Sequence, residues 1–185
     1  MTEFLIGVVA AALVNDWILT RFSGGESPDT LERLKRAAML GGFSVLVTLK
    51  ACGVAFVFYY GVLSPLGMGA AWVPLCFLAA FGSAWALGRV FRNGAGTLAT
   101  YWPLTALNAV AFGAAAHGVG TGAGFVGNLL SAFAASALFA VALVSLTAIQ
   151  ARMDVDALPE SVRGVPALLL SAALVSMALM AFAGL

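Results

Sequence analysis

A chain of 185 residues with 62% hydrophobic and 9% charged side chains, and a mean hydropathy of +1.03, excludes an ordinary soluble domain, where about a quarter of residues are charged. A net charge of +1 and a pI near 7.8 leave no basic surface for nucleic acid. The composition demands a bilayer, and the length suits one membrane domain, residues 1–185.

Six apolar segments follow in chain order: Phe4 to Thr20, Ala37 to Leu63, Gly69 to Leu87, Leu98 to His117, Phe125 to Ile149 and Val165 to Leu185. Runs of roughly 20 apolar residues are spanning helices, because a backbone without water must pair its own polar groups. The predicted fold is therefore all-α, with six transmembrane helices. Glu3 and the lack of Lys or Arg before the first run distinguish it from a signal peptide, so it is read as a retained first span. The loops after the first, third and fifth segments carry the cations, among them Arg33, Lys35, Arg36, Arg89, Arg92, Arg152 and Arg163. The positive-inside rule puts these loops in the cytoplasm and both termini on the other side. Three spans per half, about 1–92 and 93–185, give opposite topologies, as two inverted three-helix repeats require. Asn15 and Asn108, each in the first segment of its half, are the thin trace of such a repeat. Most Trp and Tyr residues, Trp72 and Tyr59 included, fall near segment ends, as interfacial anchors do.

The polar residues inside these runs are few. Lys50 lies about 18 Å into the second segment at 1.5 Å per residue, and leaving its ammonium unpaired costs at least about 2.5–3.5 kcal/mol. Such a lysine calls for a partner. Asn15 and Asn108 have two readings: caps of interrupted helices beside a transport or redox path, or interhelical hydrogen bonds worth about 0.6–2 kcal/mol. Cys52 and Cys76 lack CxxC spacing and read as small buried hydrophobes. Gly122 to Gly127, GAGFVG, matches the dinucleotide pattern formally but lacks a preceding strand, so it reads as a turn and a close helix contact. His117 is the single histidine and cannot make a metal site alone. No nucleophile, base and orienting acid assemble, so independent catalysis is not expected.

Three stretches carry a family resemblance. MTEFLIGVVAAALVNDWILTRF at the N-terminus, PLTALNAVAFG from Pro103 to Gly113, and ALPESVRGVPALLLSAALVSMALMAFAGL from Ala157 onward together resemble the A subunit of the Rnf electron-transport complex, equivalent to the E subunit of the Nqr sodium pump. The middle, about Leu63 to Leu98, matches more loosely. The resemblance implies a multi-pass subunit of the bacterial inner membrane, built from two inverted three-helix halves and paired with a homologous sister subunit, RnfE-like or NqrD-like. Family members share a two-iron two-sulfur cluster with that sister, using two cysteines from each; flavins and further iron–sulfur centres sit on partner subunits. Here the cysteine positions hold Glu26 and Ala109. A methyl group and a hard carboxylate are not the soft thiolates such clusters use, so no cofactor is expected on this chain.

The resemblance also bears on Lys50. Family members have Asn at the second polar position of the first span, where this chain has Asp16, and a small residue in place of Lys50. An Asp16–Lys50 ion pair replacing the metal site is one reading; an acid or cofactor on another subunit is the other. The function implied is a membrane-core subunit of a respiratory complex that couples electron transfer to sodium or proton movement. The competing class is a transporter-like or assembly protein on the same fold.

Overall fold

A computed structural model describes residues 30–92, 105–106, 108–122, 124–153 and 165–183. The expected first span, with Asn15 and Asp16, and Glu26 in the loop after it lie outside these residues. The described chain forms α1 (Thr30–Phe58), a π-helical turn (Tyr59–Leu63), a short 3-10 turn (Gly69–Ala71), α2 (Trp72–Arg92), α3 (Ala109–Gly120), α4 (Phe125–Met153) and α5 (Val165–Ala183). Among the described residues, three helical stretches are long and apolar enough to cross a membrane, Leu31–Leu63, Gly69–Phe91 and Phe125–Arg152, and α3 and α5 contain shorter apolar ones.

Two boundaries differ from those expected. α1 starts at Thr30 rather than Ala37, because its charged first turns are themselves helical. Glu32 accepts a 2.9 Å hydrogen bond from Arg36 one turn later, the spacing at which opposite charges support a helix. The fourth segment was expected to be continuous from Leu98 to His117. Instead Asn108 is extended, with ψ 113°, and α3 starts only after it and runs to Gly120. Its carboxamide competes for backbone hydrogen bonds, which suits a cap and not a helix interior.

Cα packing divides the chain into two units, one of residues 42–137 and one of residues 1–41 with 138–185. In the first unit, Phe43, Val47 and Ala51 of α1 pack with Ala80 and Ala84 of α2, Ala106, and Ala111 of α3. Small side chains dominate because helices in lipid gain little from apolar burial as such and associate through close backbone approach. Phe43 and Phe91 close one end of this cluster edge to face, with ring centroids 5.9 Å apart. After α1 the chain turns through Gly67, at φ 69°, a left-handed conformation open to glycine. Gly122, at φ 62°, does the same in the GAGFVG turn before α4.

In the second unit, the start of α1 meets the later half of α4. A Cβ on Gly41 would lie 2.9 Å from that of Ala140, so the backbones touch where a glycine faces an alanine. Ala37, Leu40, Phe139, Leu143 and Leu146 are buried in this unit. On α5, Leu169, Leu170, Leu174 and Met177 are more than half exposed, as side chains that meet lipid tails would be.

Candidate functional site

The polar centre of the 42–137 unit is built on one face of α1. Ser44, Thr48 and Cys52 follow at intervals of four, so they stack along the helix, and all three are buried. The Thr48 hydroxyl donates to the Ser44 carbonyl at 2.8 Å, which satisfies it within the helix. The Ser44 hydroxyl and the Cys52 carbonyl instead meet asparagines from other elements.

Asn108 stands at one end of this line. Its Oδ1 accepts from the Val110 N–H at 3.0 Å, capping α3, and its Nδ2 donates to Ser44 Oγ at 3.1 Å. Its own N–H donates to the Thr105 carbonyl at 3.2 Å, holding the short helical piece before the break. Capping and interhelical bonding were alternative readings of Asn108; the side chain is 2% exposed and does both. Ala109, the next residue, is exposed as the first residue of α3.

Asn128 stands at the other end, and sequence reasoning did not single it out. It is fully buried on α4, and its Nδ2 donates to the Cys52 carbonyl at 3.4 Å. Its Oδ1 has no hydrogen-bond partner. The carboxamide lies against Gly118 of α3 with its Oδ1 nearest, where any Cβ would overlap it, so this oxygen rests against a bare Cα–H, a contact worth far less than an N–H donor. The available signal was a lone amide in an apolar run, one turn after Gly124. Beyond this pair, the Tyr60 hydroxyl reaches the Val119 carbonyl at 3.4 Å, tying the π-helical turn to the end of α3.

The structure therefore brings together Asn108, Ser44, Thr48, Cys52 and Asn128, while Lys50 belongs to a different face of α1 and is exposed. Both cysteines are buried, as expected. Among the described residues no three His, Cys, Asp or Glu side chains gather into a metal-binding group. Ala109 presents a methyl group, which cannot supply the sulfur that iron–sulfur clusters use.

No family model matches the chain. Individual relatives match throughout its length. The A subunit of the ion-translocating oxidoreductase complex of Yersinia pseudotuberculosis is 29% identical over 194 residues, covering 100% of this chain and 98% of its own. The protein of the same name in Syntrophotalea carbinolica is 28% identical over 190 residues with the same coverage. The A subunit of the Na(+)-translocating ferredoxin:NAD(+) oxidoreductase complex of Acetobacterium woodii is 24% identical over 187 residues, 96% of this chain and 95% of that one. From end to end, then, this chain is similar to the A subunits of ion-translocating oxidoreductase complexes, at 24–29% identity.

Proposed function

We propose that the chain is a membrane-core subunit of an Rnf/Nqr-type complex, which couples electron transfer to sodium or proton translocation, and that it holds no iron–sulfur cluster of its own. The end-to-end likeness to the A subunits of such complexes carries this reading. In it, the chain is one bacterial inner-membrane domain of six spans in inverted halves, with its charged loops in the cytoplasm. It pairs with a homologous RnfE-like or NqrD-like sister, and flavins and iron–sulfur centres reside on other subunits. Asn15, Asp16, Lys50 and Asn108 form its candidate intramembrane polar set. The helix break at Asn108 supports this part of the reading, since discontinuous helices turn backbone groups toward midplane sites in ion-coupled membrane proteins.

The substitutions at Glu26 and Ala109 favour a second reading, a cluster-free paralogue acting as a transporter-like or scaffold protein. Purification of the tagged chain from native membranes in mild detergent separates the two. Recovery with flavin- and iron–sulfur-bearing subunits, and loss of redox-driven ion uptake by vesicles lacking the chain, are the expected results. A chain that purifies without redox subunits, in a strain whose vesicles keep that uptake, would remove the first reading.

A further inference from the structure

Lys50 occupies the middle of the apolar run that α1 and the π-helical turn form together, thirteen residues from Ala37 and thirteen from Leu63, or about 20 Å either way at 1.5 Å per residue. In a hydrocarbon core about 30 Å thick the lysine stem reaches neither headgroup layer. Its side chain is nevertheless exposed and makes no hydrogen bond or ion pair with a described residue. Among the described residues the one acid is Glu32, 18 residues away on the same helix, because the sequence contains no Asp or Glu between Glu32 and Asp154, or after Glu160. Gly42, Leu46 and Val57 are exposed on the same side of α1, and the space in front of Gly42 is open.

We propose that this face of α1 is an interface, covered by a transmembrane helix of another subunit that carries an Asp or Glu at mid-membrane depth, paired with Lys50. The inference rests on the multisubunit reading above. Charge complementarity identifies the occupant: an ammonium in hydrocarbon needs a carboxylate, and a lipid headgroup is excluded by depth. A second copy of the chain is a poor fit, because its only acid within an apolar segment is Asp16, four residues from the end of the first one.

The test places a photo-crosslinking amino acid at Leu46 or Val57 in the full chain, expressed with its complex in native membranes. The expected adduct joins a different membrane subunit, mapped by mass spectrometry to a segment with an Asp or Glu within a turn of the site. Lys50→Met should then lower recovery of that subunit on the tagged chain at least about tenfold, as loss of one member of a desolvated pair does, while immunoblots show unchanged chain in the membrane. Lys50→Glu with the mapped acid changed to Lys should restore recovery. Adducts only with the chain's own first segment, only with a second copy, or with no protein would overturn the proposal. So would full recovery with Lys50→Met, or an Asp16→Asn variant that reproduces the Lys50→Met loss without adding to it, the signature of an internal pair. The function is judged separately: an adduct and charge rescue in an assembly without redox subunits would leave this interface standing and remove the oxidoreductase reading.

Discussion

Asn108 performs two tasks, so its removal should cost more than removal of either partner. Losing a cap costs about 1 kcal/mol, and an interhelical hydrogen bond in a membrane averages about 0.6 kcal/mol. Asn108→Ala is expected to destabilise the chain by about 1.5–2 kcal/mol and Ser44→Ala by about 0.6 kcal/mol, measured by reversible unfolding in mixed micelles. Equal losses would mean that the cap contributes nothing. Gly118 is constrained by the carboxamide lying on it. Gly118→Ala should cost about 1–3 kcal/mol through overpacking, and adding Asn128→Ala should recover most of that loss. Without such recovery, the Asn128 side chain is not what fills the space. Cys52 and Cys76 are fully buried and should resist a membrane-permeant maleimide in the folded chain, labelling only once it is unfolded.

Among the elements, α1 contains adjacent glycines with opposite surroundings. Gly41 faces Ala140 at a distance that leaves no room for a methyl group, and Gly42 faces open space. In the isolated chain Gly41→Ala should therefore be destabilising, while Gly42→Ala should gain up to about 1 kcal/mol of helix propensity; thermal unfolding of the two variants checks the contrast. The helices themselves were legible because apolar length is a coarse signal: the segments predicted from Gly69, Phe125 and Val165 correspond to α2, α4 and α5. The start of α1 was not, since Glu32, Arg33, Lys35 and Arg36 read as a loop by hydropathy while their spacing supports a helical turn. The break at Asn108 could be suspected from residue type alone. Asn128 could not be ranked, because its defining feature is contact with Gly118, ten positions away and on another helix. Lys50 was conspicuous by depth, but whether it faced inward or outward depended on which side of α1 packs.

Over the whole molecule the chain keeps end-to-end likeness to the A subunits of ion-translocating oxidoreductase complexes, while Ala109, at the helix start beside Asn108, carries no sulfur. If it holds no cluster, Cys52→Ala with Cys76→Ala should leave the iron content and iron–sulfur spectrum of the purified complex unchanged; a lost signal would place a centre on these thiols. The length of α1 adds a demand from the lipid. The apolar run 37–63, spanning most of α1 and the π-helical turn after it, makes about 40 Å of helix at 1.5 Å per residue, against a hydrocarbon core of about 30 Å. Such a rod must lean or protrude, and hydrophobic mismatch costs fractions of a kcal/mol per Å. Acyl-chain length thereby becomes a control on the molecule, with thicker bilayers drawing α1 toward the membrane normal and thinner ones tipping it over.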